Sequence, residues 1–198
     1  MGSVIETLIN KWALSTVVVV GAAMLISQPE RVWWSAAGAI FFMHIWVYWI
    51  HRGLHMLPRN GIIGLLNTHI RFHHAGADVK PLPRWLELGV ETVTDLGMNL
   101  SLLGIQYAAG LYIIPTSCIV FFAVAYTSVH LINYSIVGSD SHRLHHSSME
   151  RNFGPEPMDH WCGTNYDSTA EDLSPMALNA IFAYYVTRLL KTQIGWVD

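Results

Sequence analysis

Charge is what this sequence has least of. Asp, Glu, Lys and Arg make up 13 % of its 198 residues, against roughly 25 % in an ordinary soluble domain. Apolar residues reach 52 %, an imbalance that points to a bilayer and not to water. The formal charge of −3, mixed along the chain, gives no case for a nucleic-acid partner or a polybasic lipid-binding face. The two cysteines, Cys118 and Cys162, are too few for a disulfide framework and lack paired zinc-ligand spacing, so both read as packing residues. Neither a Gly-rich dinucleotide loop nor a haem-binding or flavin-binding signature is present, so any redox chemistry needs electrons from a separate partner. Glu6 ahead of Lys11, with no small-residue cleavage site following, argues against a removable signal. Length fits one domain over residues 1–198.

What is present is a set of greasy runs. Residues 12–27 carry no charge and make a short span that Lys11 completes by snorkelling. Pro29, Glu30 and Arg31 form a polar hairpin, and residues 32–50 give a second uncharged run with Trp33 and Trp34 at its start as interfacial anchors. Residues 96 to 139 lack Asp, Glu, Lys and Arg altogether. One helix of that length would be about twice the thickness of a bilayer core. It must fold back, and Gly110 and Pro115 mark the bend, giving spans at 96–112 and 115–134.

Four spans put both termini, residues 51–95 and residues 135–198 on one side. Of eleven Lys and Arg residues only Arg31 falls opposite, so the shared side is cytoplasmic. Ser174 and Pro175 open a further helix through Leu190 that is expected to pack on the cytoplasmic face. A fifth span competes with that reading, although the apolar stretch MALNAIFAYYV is short for one. The expected fold class is therefore an all-α integral membrane protein of about four transmembrane helices with a cytosolic, helical, histidine-rich cap. Trp46, Tyr48, Tyr107 and Tyr112 read as belt or packing residues.

Against this map the eleven histidines are not scattered. His51 and His55 lie four apart at the end of the second run, so on a continued helix both rings leave one face. His69, His73 and His74 repeat the spacing and add a neighbour; His142, His145 and His146 are related by three, four and one. His130, near the end of the last span, is placed to join them. Imidazoles packed this closely repel one another if protonated and need separate partners if neutral and buried. A shared metal removes both problems. Nine rings exceed the four ligands of a tetrahedral zinc, so two ions are expected. Imidazole suits Fe, Zn, Cu and Ni alike, but a site beneath a helix bundle is reached most easily by a lipid chain. Oxidising an unactivated C–H bond there requires a redox metal, which zinc is not. His44 and His160 read as hydrogen-bonded interfacial residues, with His160 also a candidate extra ligand. Asp140 and Asp159 are candidates for orienting ring N–H groups. Arg52, Arg71 and Arg143 satisfy the positive-inside bias.

The order HRGLH, HIRFHH, HRLHH, then NFG and MDHWCGT, resembles the fatty acid hydroxylase and sterol desaturase superfamily across residues 51–164. The resemblance implies a membrane-bound non-haem di-iron enzyme that uses O2 and two electrons to hydroxylate or desaturate a fatty acid or sterol. It assigns His51 and His55, then His69, His73 and His74, then His142, His145 and His146 to the three histidine boxes, with His130 as the isolated histidine between the last two. It also implies two Fe ions, with zinc as an adventitious substitute, and an external electron donor such as a b-type cytochrome or ferredoxin. The location it implies is the endoplasmic reticulum in a eukaryote or the inner membrane in a bacterium. This sequence departs from the family pattern in the short interval from His130 to His142 and in His160, which stands where a basic residue is usual. Carotenoid hydroxylation and non-enzymatic metal binding or transport are the alternatives.

Overall fold

The computed structural model describes residues 6, 8–27, 33–58, 60–67, 69–74, 82–166, 171–196 and 198. The hairpin expected around Pro29, Glu30 and Arg31 lies outside them. Among the described residues every regular element is helical: α1 (Ala13–Ile26, entered through a π-helical turn Leu8–Trp12), α2 (Trp33–Met56), α3 (Gly61–Leu66), a π-helical turn His69–His73, α4 (Arg84–Ala109), α5 (Thr116–Ser128, continuing as π-helix Val129–Gly138), α6 (Asp140–Ser148), α7 (Glu156–Cys162) and α8 (Met176–Ile194). Two of these segments, Ile9–Ile26 and Thr116–Gly138, are long and apolar enough to cross a membrane.

The bend between α4 and α5 falls where the sequence places it, and it is held by a residue the sequence reading passed over. Gly110 caps α4 in the left-handed region at φ 64°, a conformation that costs glycine no Cβ clash. The Gln106 amide then accepts the N–H groups of Ile113 and Ile114 at 3.0 and 2.8 Å and donates to the Ile114 carbonyl at 3.0 Å. These bonds satisfy backbone groups that a bilayer could not. α4 itself begins at Arg84 and not near residue 96, so its first three turns bring Glu87, Glu91 and Asp95 up to the histidine end.

α5 is the hub, packing against α1, α2, α4 and α8. Its Cys118, Ile119, Phe121 and Phe122 meet Ala22, Ala23, Ala36, Ala39, Ala180 and Ala183 from the surrounding helices. Small residues at these contacts let helix backbones approach closely, the packing mode of membrane bundles. Cys118 is in the core as expected; Cys162 is exposed.

The last helix departs from expectation. It does not lie across the histidine end but runs lengthwise between α1 and α5. The Leu173 N–H bonds the Lys11 carbonyl at 3.0 Å at one end, and Lys191 Nζ bonds the Ile26 carbonyl at 3.1 Å at the other. Asp198 accepts the Ser117 N–H at 2.7 Å, so it sits at the start of α5, opposite the histidines. The expected placement of both termini on the histidine side is thus corrected. The reason is patterning: Ala177, Ala180 and Ala183 are buried while Leu178, Phe182, Tyr185 and Leu189 stand exposed, a large apolar stripe that suits lipid. Its nineteen residues reach about 28 Å, and Thr187 is buried with the alanines.

Candidate metal centre

Local structure aims each histidine. His51 and His55 extend from the last turns of α2. Asn67, unmarked by the sequence reading, donates to the Leu54 carbonyl at 2.7 Å and accepts the Ile70 N–H at 3.3 Å, which docks the second box beside the first. There the helix widens, with the His74 N–H bonded five residues back to His69 at 3.2 Å; such π-turns recur at functional sites. Ser139 caps α6, its hydroxyl accepting the His142 N–H at 3.3 Å, and so fixes the third box. The π-helical continuation of α5 carries His130, buried, to the same place.

All nine histidines of the three boxes and position 130 come together, in two adjacent groups that a third set, His73, His74 and His146, joins. His51, His55, His69, His74 and His145 have ligand-type atoms within 4.8 Å of one another. Their Nε2 atoms converge: His51 to His69 is 2.8 Å, His55 to His51 and to His69 3.2 Å, and His74 to His69 3.1 Å. For two of these rings the proton is committed elsewhere. His51 Nδ1–H donates to the Phe153 carbonyl and His145 Nδ1–H to the Arg151 carbonyl, which leaves each Nε2 with a lone pair turned inward. His145 Nε2 is buried with no hydrogen-bond partner among the described residues.

The second group joins His73, His130 and His142 with Glu91, and His146 lies 3.0 Å from both His73 and His142, Nε2 to Nε2. Glu91 is the residue sequence reasoning missed. Its Oε1 is 3.0 Å from His73 Nδ1 and 3.8 Å from His130 Nε2, and it accepts the Ser135 hydroxyl at 2.6 Å. Asp95, one turn on, accepts His130 Nδ1–H at 2.7 Å. The signal was available: Glu91 and Asp95 are four apart and continue directly into the uncharged run.

The carboxylates that the sequence put forward act otherwise. Asp140 is exposed and pairs with Arg143. Asp159 is buried and accepts the N–H groups of Phe153 and Gly154 at 2.9 and 2.6 Å and the Thr164 hydroxyl at 2.7 Å, so it shapes the loop whose carbonyls orient His51 and His145. Asn152 does more than turn the chain: it bonds the Ser141 carbonyl at 3.1 Å and the Tyr166 N–H at 2.7 Å. His160 stands outside both groups, 3.5 Å from Glu156 and edge-on to Trp12. His44 donates to the Ile40 carbonyl at 2.8 Å and meets Phe122.

The residues fit a pair of cations. Nitrogens bound to one ion at the usual 2.0–2.1 Å stand about 3 Å apart when neighbours at right angles, the spacing seen here. Two buried carboxylates, Glu91 and Asp95, stand beside these rings, and a cation there would balance their charge. Burial, followed by the neighbouring rings, holds the imidazoles of His69, His73, His74 and His142 well below their ordinary range; burial likewise brings His145 down to about 3. Unfolded imidazoles titrate near 6.5, so the metal-free folded state binds fewer protons in acid. Its stability is therefore full above about pH 6.5 and falls as pH drops toward 3. Thermal unfolding of metal-stripped protein in detergent should show that decline; a flat profile between pH 7 and 4 would contradict neutral rings.

A family model described as fatty acid hydroxylase matches residues 36–164, more than half of the chain and the whole segment that carries the nine histidines. No curated protein and no solved structure matches at the same level. By that match the chain belongs to the fatty acid hydroxylase family, within the fatty acid hydroxylase and sterol desaturase superfamily: membrane oxidoreductases that oxidise lipid C–H bonds at a histidine-rich, iron-dependent centre.

Proposed function

We propose that this protein is a single-domain membrane di-iron oxygenase that hydroxylates or desaturates a lipid, with the histidine end facing the cytoplasm. The observation that carries it is the convergence of nine imidazoles into two adjacent groups, with the Nδ1 protons of His51, His130 and His145 directed outward to oxygen acceptors. His51, His55, His69, His74 and His145 would hold one iron; His73, His130, His142 and His146, with Glu91 beside them, would hold the other. Iron bound there supplies the reduction of O2 and the oxidising power that no side chain has.

The chain's own residues supply position and exclusion of water. Phe153, Arg151 and Asp95 hold their histidines in one tautomer by accepting Nδ1–H, so no proton has to move for a ligand to form. A cavity of about 690 Å³ passes His51, His130 and His142 and continues between α1, α2 and α5 along Val19, Val20, Ile40 and Phe122. Its size is that of a small-molecule site, and its apolar arm holds an alkyl chain against the histidines. Electrons come from an external donor such as a b-type cytochrome or ferredoxin. A smaller cavity beside His73 and His146 opens between the ion pairs Arg84–Glu87 and Arg143–Asp140. A transport role has less support, since His44, its mid-span candidate, is tied to the Ile40 carbonyl.

The test is direct. Protein purified after growth with iron should carry about two Fe per chain, and O2 uptake with reductant should depend on added lipid, with mass spectrometry of host lipids showing a gain of 16 mass units or a loss of two. Tight zinc with no lipid-dependent O2 uptake would favour a metal-binding protein instead.

A further inference from the structure

The arm of the cavity away from the bundle is unlike the apolar one. Asp140, Glu156, Asp159, Glu171 and Asp172 line it, and among the described residues no Lys or Arg does. Four of these carboxylates are already engaged: Asp140 pairs with Arg143 and Asp172 accepts the Ser174 N–H at 2.9 Å. Asp159 is taken up by the loop it shapes, and Glu171 accepts the Ser139 hydroxyl at 2.6 Å and the Ser141 N–H at 3.2 Å.

Glu156 is different. Its side chain is 10 % exposed. One oxygen, Oε1, accepts the Glu171 N–H at 2.6 Å; the other, Oε2, is buried with no hydrogen-bond partner among the described residues. A buried carboxyl oxygen left without a partner costs about 1–3 kcal/mol, and the residue that carries it lines the cavity. Burial, helped by the charge of Glu171 and opposed by Lys11 outside the lining, pushes the group up to about 8. At neutral pH it therefore mostly keeps its proton and has an O–H to give as well as an oxygen to accept with. His160, 3.5 Å from Oε1, is the titratable neighbour on the same helix.

The chemistry of this arm selects a headgroup. An anionic end would enter among Asp159, Glu171 and Asp172 beside Glu156 with no Lys or Arg among the described lining residues, Asp140 at the rim being the one paired with an arginine, and like-charge juxtaposition of that kind is strongly unfavourable. A hydroxyl can both accept from Glu156 and donate to it. Resting on the reading of this cavity as the lipid site, we propose that it takes lipids with an uncharged, hydroxyl-bearing head, hydrogen-bonded by Glu156, and refuses those ending in carboxylate or phosphate.

Competition binding decides the matter. Iron-loaded protein in neutral detergent at pH 7 is given tritiated hexadecanol, displaced in turn by unlabelled hexadecanol, palmitate and hexadecyl phosphate, three probes with one chain. Saturable binding is expected, with both anions weaker by about tenfold or more. Glu156→Ala should lose hexadecanol affinity, Glu156→Gln should retain most of it, and Glu156→Arg should narrow the gap to the anions. Iron content confirms folding of each variant, and the wild-type series stands without them. Equal or better competition by palmitate or hexadecyl phosphate, absence of saturable binding, or unchanged hexadecanol affinity in Glu156→Ala would overturn the proposal. O2 uptake read in the same samples separates the two levels: saturable, head-selective binding without oxidation of any lipid counts against the catalytic reading and leaves the headgroup assignment supported.

Discussion

Replacing His145 by alanine should abolish turnover, by more than about the 100-fold that loss of a mere orienting partner costs at metal sites, and should leave the protein with less than its full complement of iron. Among the nine rings this one is the most completely committed. It is 1 % exposed, its Nδ1–H is held by the Arg151 carbonyl, and its ring touches those of His51, His55 and His74. The substitution removes an inward lone pair and leaves a cavity that the neighbouring rings cannot close without giving up their own partners, so stability of the protein should fall by about 2–4 kcal/mol as well. Iron content and O2 uptake are measured together, with His44→Ala as the control for iron content alone, since that ring lines the lipid cavity. His44 is half-buried, hydrogen-bonded within its own helix, and outside both groups. Full activity and full iron in His145→Ala would mean that the convergence of these nitrogens has some other purpose.

How much of this was legible beforehand follows from what each signal depends on. The histidine groups were readable because i, i+4 spacing on a helix is a local property, and His51 with His55, His69 with His73, and His142 with His146 all keep it through helical and π-helical turns. The turn at Gly110 and Pro115 was readable for the same local reason. Partition of the nine rings was not, since His73 and His74 are adjacent in sequence yet extend to different sides: His74 lies against His69 and His73 against His130, while both meet His146. The path of α8 was misjudged because an apolar-length argument counts Thr187 and Lys191 against a span, whereas the buried alanines at 177, 180 and 183 record which face is packed. The supporting carboxylates were missed for a related reason. Asp140 and Asp159 were favoured by nearness in sequence to the third box, but an orienting carboxylate needs nearness in space, and α4 brings Glu91 and Asp95 from fifty residues away.

Glu91 is where that oversight has its largest measurable consequence. Glu91→Gln keeps the shape of the side chain and an oxygen for the Ser135 hydroxyl, but removes the negative charge beside His73 and His130. If that charge balances a cation, the second group should lose metal affinity by about 10–100-fold, and iron content should fall from about two per chain toward one. The five-histidine group contains no carboxylate and should keep its ion, so the loss is expected to be selective. Mössbauer spectra of protein grown with ⁵⁷Fe distinguish the cases, because a site next to a carboxylate and one made of imidazoles alone give separate quadrupole doublets, of which the variant should retain only one. O2 uptake should fall with the missing doublet, since reduction of O2 by the pair needs both metals. Glu87→Gln, one turn earlier on α4 and paired with Arg84, serves as the control for a change of net charge on the same helix. Two intact doublets in Glu91→Gln would show that the carboxylate serves packing and not the ion. Proportional loss of both would show instead that the two groups assemble as one cooperative unit, held together by His73 and His74 on their shared turn.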